Sequence, residues 1–104
     1  MKKISFLLMF PVLCYGQTAL DYKISAMTKI QIKDYEGAIY DLTKAIELNS
    51  NNPLLNIYAE CYYLRGIAKA GFIIQKPLSQ CSDFKKACEL GYESACDTYN
   101  NSCY

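Results

Sequence analysis

The segment Lys33–Asn49, KDYEGAIYDLTKAIELN, decides how this 104-residue chain folds. Its apolar residues recur three or four positions apart, which places them on one face of an amphipathic α-helix: Tyr35, Ala38, Ile39, Leu42, Ala45, Ile46 and Leu48. Asp34 is suited to cap this helix, because its carboxylate can accept from the first free backbone N–H groups. The turn-forming sequence NSNNP at 49–53 ends the pattern. The segment therefore predicts a helix between Asp34 and Asn49.

Helical patterns continue on both sides of this segment. The short Lys33-Asp34 turn joins it to a preceding helix, so the two helices form an antiparallel hairpin. Gly91 is a natural helix stop near the C-terminus. The other predicted helices are Ala19–Ile32, one that begins near Ala59 and is extended at its N-terminus by residues 53–58, Leu78–Leu90, and Glu93–Cys103. The sequence thus predicts an all-α fold with five helices.

The first hairpin carries a family resemblance. DYEGAIYDLTKAIELN followed by NNP resembles the second helix and exit turn of a tetratricopeptide repeat, or TPR. Ala38 and Ala45 stand at the two small positions of that helix, and Ala26 stands at the small position of the helix before it. Tyr35 occupies the aromatic position after the turn. The departures from the family pattern are Tyr22, Ser25 and Ser50, where Trp, Leu and Pro are usual.

A divergent second unit follows the first. Its positions match the first unit in pairs: Gly66 with Ala26, Lys69 with Lys29, Asp83 with Asp41, Lys86 with Lys44, and Ala87 with Ala45. The resemblance implies an α/α superhelix of TPR-like hairpins, with repeat one at 19–52, an extended repeat two at 53–90 and a capping helix at 92–103. The acidic residues, Asp41 and Asp83 among them, are expected to be solvated or to cap helices.

Four cysteines near the C-terminus form a regular series, spaced seven, eight and seven residues apart: Cys81, Cys88, Cys96 and Cys103. Facing residues of an antiparallel hairpin have residue numbers with a constant sum. That sum is 184 both for Cys88 with Cys96 and for Cys81 with Cys103, which centres the turn on residue 92, next to Gly91. The spacing therefore predicts an inner and an outer disulfide that staple the last hairpin.

Other assignments of the cysteines have to be weighed. Four thiolates can bind Zn²⁺ or an iron–sulfur cluster, but the two pairs lie too far apart for one tetrahedral site. Reduced core thiols are the remaining alternative. The stretch Lys86–Gly91 with Ala95-Cys96 also resembles the cysteine-rich Sel-like repeats of secreted bacterial proteins, which link a hairpin through two cysteines of this spacing. Cys61 has no partner, and is expected as a buried thiol or as an intermolecular disulfide.

The N-terminus predicts export. Lys2 and Lys3 precede the apolar run ISFLLMFPVL at 4–13, and Cys14-Tyr15-Gly16 places small residues at a cleavage site. We therefore expect a signal peptide at 1–16, cleavage after Gly16, and a secreted or periplasmic domain at 17–104. The apolar run is too short to span a membrane. The alternatives are a lipidated Cys14 and a buried N-terminal helix.

Composition excludes several classes of function. The chain has no His, so neither a Ser-His or Cys-His catalytic site nor a His-bearing metal site can form. A formal net charge of +1 disfavours nucleic acid and anionic membranes as main partners. No other motif indicates a cofactor or a catalytic constellation. The sequence therefore favours a binding module over an enzyme.

The TPR resemblance implies a protein-binding scaffold whose concave groove is lined by the first helix of each hairpin. Carried over residue by residue, the groove positions are Lys23, Met27, Ile30 and Gln31, then Glu60, Tyr63, Ile67 and Ala70. This set lacks a Lys/Asn cluster for a peptide carboxylate, so the expected ligand is an apolar helix or extended segment of another protein. The alternatives are a secreted effector or envelope-modifying enzyme of the Sel-like type, and a structural module that forms a homodimer through Cys61.

Overall fold

The computed structural model describes residues 18–49, 55–72 and 77–103, and these form five α-helices. Their limits are Ala19–Gln31 (α1), Tyr35–Asn49 (α2), Leu55–Phe72 (α3), Pro77–Glu89 (α4) and Glu93–Ser102 (α5). No strand occurs in these three ranges, so the all-α prediction is confirmed for them. The extension of the third helix ahead of Ala59 is also confirmed, from Leu55 onward. The expected signal peptide at 1–16 lies outside the described residues.

Side chains cap the first two helices. α1 begins with a capping box: Thr18 Oγ1 accepts from the Asp21 N–H at 3.3 Å, and the Thr18 N–H donates to the Asp21 carboxylate at 3.1 Å. At α2 the predicted cap is confirmed, because Asp34 Oδ1 accepts from the Gly37 N–H at 3.1 Å. Both carboxylates also lie at the positive end of a helix dipole, which favours them there.

The turns after α1 and α4 share one backbone motif. Each has a residue in the left-handed region, Lys33 at φ 67° and Gly91 at φ 102°. The N–H of that residue and of the next donate to carbonyls three and five residues earlier, at 2.7 to 3.0 Å. This is the Schellman arrangement, which satisfies carbonyls at a helix end and reverses the chain. Gly91 adopts it without steric cost, whereas Lys33 carries a Cβ that disfavours it.

Small residues let the helices approach closely. Six alanines of the described helices have no exposed surface: Ala26, Ala38, Ala45, Ala68, Ala87 and Ala95. A Cβ added at Gly66 would lie 2.6 Å from Phe84 Cε1, and one at Gly71 would lie 2.6 Å from Tyr35 Cζ, so aromatic rings pack directly on the backbone of α3. Each helix packs on the next along the chain, and α1 also contacts α3. None of the described helices is long and apolar enough to cross a membrane.

Candidate functional site

Two disulfides join α4 to α5 and to the residue that follows it. Cys88 is bonded to Cys96 with a Cα–Cα distance of 4.7 Å, and Cys81 is bonded to Cys103 with a Cα–Cα distance of 5.9 Å. These are the inner and outer pairs that the constant sum of residue numbers indicates. The bonds fix the short α5 helix against α4, and therefore hold the C-terminal end of the stack in place.

A Lys–Asp ion pair with a buried carboxylate recurs in both hairpins. In the first, Lys29 of α1 lies 2.9 Å from Asp41 of α2. In the second, Lys69 of α3 lies 3.1 Å from Asp83 of α4. The expectation that these two carboxylates are solvated or cap helices is wrong, because Asp41 is only 4% exposed and Asp83 only 3%. A buried carboxylate needs a cation and hydrogen-bond donors, and these pairs supply them.

The two ion pairs occupy equivalent places. Lys29 and Lys69 match each other in the sequence alignment of the two units, and so do their acidic partners. Each lysine comes from the first helix of its hairpin and each aspartate from the second. The hairpins α1–α2 and α3–α4 are therefore alike in this ion pair as well as in sequence pattern.

Arg65 strengthens the second pair. Its Nε and Nη2 each donate to a different Asp83 oxygen at 2.9 Å, and its Nη1 donates to Thr43 Oγ1 of α2 at 3.2 Å. Burial lowers the pKa of Arg65, but the hydrogen bond and charge of Asp83 outweigh that effect and raise it overall. The guanidinium stays charged and links the first hairpin to the second. The equivalent residue of the first unit, Ser25, donates its hydroxyl to Asp41 at 2.7 Å.

Lys23, at the first of the predicted groove positions, forms an ion pair between α1 and α3. Its Nζ lies 2.6 Å from Glu60 Oε1. Met27 and Gln31 of α1 are exposed beyond this pair, and Ile30 is half-buried against the core. The Lys23–Glu60 pair thus joins α1 to α3, the two helices that must be neighbours if a groove lies between them. The opposite charges of the two side chains neutralise each other.

The groove positions of α3 are not all open surface. Ile67 is half-buried and Ala70 is exposed. The Tyr63 ring packs against Phe84 at 5.7 Å and Tyr92 at 5.0 Å between centroids, and the Tyr63 and Thr98 hydroxyls are 3.5 Å apart. Tyr63 therefore also holds α3 against α4 and α5.

Cys61, the thiol without a partner in the sequence, is fully buried in the core of the first hairpin and α3. Burial raises the pKa of its thiol to about 11, so the unreactive thiol form prevails at neutral pH. The expectation of a buried thiol is confirmed. An intermolecular disulfide at Cys61 would require the core to open first.

The described residues contain no group of three or more acidic or cysteine side chains arranged to hold a metal ion. No family model, no curated protein and no solved structure matches the chain significantly. The function is therefore inferred from the geometry of the helices and from the residues that lie between them.

Proposed function

We propose that this chain is a small exported protein-interaction scaffold with a TPR-like arrangement of hairpins. It binds an apolar helix or extended segment of another protein in a groove between α1 and α3. The chain supplies recognition and no catalytic step in this proposal. The predicted signal peptide supports export, and the two disulfides are compatible with an oxidising compartment outside the cytoplasm.

The observation that carries this proposal is the repeated ion pair. Lys29–Asp41 and Lys69–Asp83 join the two helices of each hairpin in the same way. Two equivalent hairpins that stack in sequence bring their first helices side by side, and α1 and α3 are in contact. Adjacent first helices are what a concave ligand-binding surface of stacked hairpins requires.

The charges of the groove point to a neutral or apolar ligand. Lys23 and Glu60 neutralise each other at 2.6 Å, so neither is free to attract a charged ligand. Met27 of α1 remains exposed and Ile67 of α3 is half-exposed, so both helices offer apolar surface C-terminal to that pair. Binding would then rest on burial of apolar surface, supplemented by the amide of Gln31.

The experiment is selection of peptides from a random displayed library on the oxidised protein. A groove variant, Ala70→Glu, adds a charge at an exposed position of α3, and the control Ser82→Glu adds the same charge at an exposed position of α4. Selected peptides should bind the wild type and the control about equally, and should bind the groove variant at least about tenfold more weakly. Equal binding to both variants, or no enriched peptide, would contradict the groove.

This pair of variants is preferable to truncation of Tyr63. Because Tyr63 packs on Phe84 and Tyr92, Tyr63→Ala would loosen the contact of α3 with α4 and α5 as well as remove groove surface. A loss of binding in that variant would have two explanations. Ala70 and Ser82 are exposed and carry small side chains, and circular dichroism can check that both variants keep their helices.

The alternative of a structural module that self-associates through Cys61 receives no support from the buried position of that thiol. A non-reducing gel of the oxidised protein tests it directly. We expect a monomer band under native oxidation, and a dimer band that disappears in Cys61→Ala would favour the structural module instead.

A further inference from the structure

The two ends of the helical stack differ in character. The exposed residues of the last helix, α5, are all polar or acidic: Glu93, Ser94, Asp97, Asn100, Asn101 and Ser102. Such a surface is typical of a terminal cap. The first helix, α1, instead exposes three large apolar side chains, Leu20, Ile24 and Met27. The N-terminal end of the stack thus exposes large apolar side chains, whereas the exposed residues of the last helix are polar.

The exposed apolar residues of α1 form a narrow stripe. Leu20, Ile24, Met27 and Gln31 are spaced four, three and four residues apart, which is the a/d spacing of a coiled-coil seam. At 3.6 residues per turn, Ile24 lies about 200° around the helix from the fully buried Ala26. These four residues, called the α1 seam below, therefore face away from the core.

The internal repeat indicates which kind of element covers this face. The residue of α3 equivalent to Ile24 is Leu64, which packs against the core of the first hairpin. On α3, the flanking Cys61 and Ala68 have no exposed surface. The corresponding face of α1 has no preceding hairpin among the described residues. On α3 this face is covered by helices of the first hairpin. We therefore expect a helix on the equivalent face of α1.

The flanks of the α1 seam determine how wide the occupant can be. Where α3 has the buried Cys61 and Ala68, α1 has the exposed polar residues Asp21 and Thr28. A whole hairpin stacked there would bury a carboxylate without a cation, which is costly. A single helix lying along the seam would leave Asp21 at its edge in contact with water. The surface therefore fits one helix.

We propose that the occupant is the α1 helix of a second copy, packed antiparallel about a two-fold axis. Head-to-tail stacking is disfavoured, because it would place the polar surface of α5 on the apolar seam. Two-fold pairing covers both seams at once and leaves polar caps at both outer ends. In the antiparallel register that places Ile24 opposite Met27 of the second copy, Leu20 faces Gln31, and no like charges meet within the seam.

The pairing is a weak one. Four residues per copy cover far less surface than the roughly 800 Å² per partner of a stable dimer, so a dissociation constant on the order of 100 µM is expected. The proposal does not depend on a ligand in the groove. Met27 and Gln31 belong to both surfaces, so both are left unchanged in the variants below.

The test is sedimentation velocity of the oxidised protein, as recovered from the cell, from about 10 µM to about 1 mM. The weight-average mass should rise toward twice the monomer mass in the wild type. It should stay at the monomer value in Ile24→Glu. The matched control is Leu48→Glu on α2, because Ile24 is 53% exposed and Leu48 is 50% exposed, and this control should dimerise like the wild type.

A second seam variant, Leu20→Glu, tests the same surface in case Ile24→Glu does not fold. The helical content of each variant is measured. A wild type that remains monomeric throughout this range overturns the proposal and leaves the seam to a helix of another protein. A dimer that survives both seam variants overturns it as well. Ala70 and Ser82 lie outside the seam, and at about 10 µM most of the protein is monomeric at this dissociation constant, so a loss of peptide binding measured there is distinguishable from a loss of the dimer.

Discussion

Replacing Asp83 by Ala removes one carboxylate that two cations share. Arg65 donates to it through two bonds of 2.9 Å and Lys69 lies 3.1 Å away. The variant leaves a guanidinium and an ammonium in a largely buried place without their anion. Removal of one partner of a buried ion pair costs about 3–5 kcal/mol. Because the Arg65 and Lys69 side chains keep some access to water, we expect about 3 kcal/mol of lost unfolding free energy, near the low end of that range.

Asp41→Ala is the matched comparison, since it removes the equivalent carboxylate of the first hairpin. Asp41 holds one lysine whose side chain is 34% exposed, and one hydroxyl, from Ser25. Water can solvate Lys29 when its partner is removed, so the expected cost is only about 1–2 kcal/mol. The structure therefore predicts an order, with the second hairpin more sensitive than the first.

The assay is urea unfolding at neutral pH with both disulfides intact, followed by far-ultraviolet circular dichroism. A double-mutant cycle with Arg65→Ala should give a coupling energy to Asp83 of at least about 1 kcal/mol. A cost below about 1 kcal/mol for Asp83→Ala, or an equal or larger cost for Asp41→Ala, would contradict this order of sensitivity.

Four further outcomes are expected. Lys33→Gly should stabilise the protein by about 1 kcal/mol in urea unfolding, because glycine relieves the left-handed backbone at φ 67°; a destabilised variant would contradict this. Gly66→Ala should cost about 1–3 kcal/mol in the same assay, since its Cβ would lie 2.6 Å from a carbon of the Phe84 ring; a neutral effect would mean that the ring moves freely. The pKa of Cys61 is raised from 9.0 to about 11, so the native state holds this proton more tightly than the unfolded chain, and stability should fall as pH rises from 9.0 toward 11; this fall should be smaller in Cys61→Ala, and identical slopes would contradict the assignment. Reduction of both disulfides should lower the melting temperature steeply, because loops closed by bonds 22 and 8 residues apart are worth about 3 and 2.5 kcal/mol; unchanged melting with excess reductant would show that the bonds are not structural.

The helices and the disulfides were accessible from sequence because each has a regular pattern. Apolar residues three and four apart predict α1 and α2, and helix ends that differ by about one residue reflect the fraying of terminal turns. The constant sum for Cys88 with Cys96 and for Cys81 with Cys103 uses only the geometry of an antiparallel hairpin. Patterns of this kind can be recognised in a sequence because they depend on local periodicity and not on tertiary packing.

The buried carboxylates were missed because an aspartate on a helix face is usually solvated. A signal was present: the second unit repeats both Lys29 and Asp41 as Lys69 and Asp83, and a cation and an anion kept together in two repeats suggest a contact. Burial of Asp83 depends on which helix covers it, and that is decided by tertiary packing. Periodicity alone does not report it.

Three local features are absent from the sequence-based predictions. The capping box at Thr18 follows a recognisable spacing, because Asp21 stands three residues later. The left-handed Lys33 follows none, since glycine or asparagine is usual at that position. Tyr63 was placed in the groove by its register, yet its ring also packs on Phe84 and Tyr92. Register indicates the face of a helix, whereas the neighbours on that face depend on the turn geometry after α4.

The most direct test of the binding proposal is to map a selected peptide on the oxidised protein by ¹H–¹⁵N chemical-shift perturbation. We predict that the shifts fall on α1 and α3, centred on Lys23, Met27 and Ile67, and that the amides of Lys85 and Lys86 on α4 stay unchanged. Perturbations confined to α2 and α4, with none along α1 and α3, would contradict a groove between the first helices of the two hairpins.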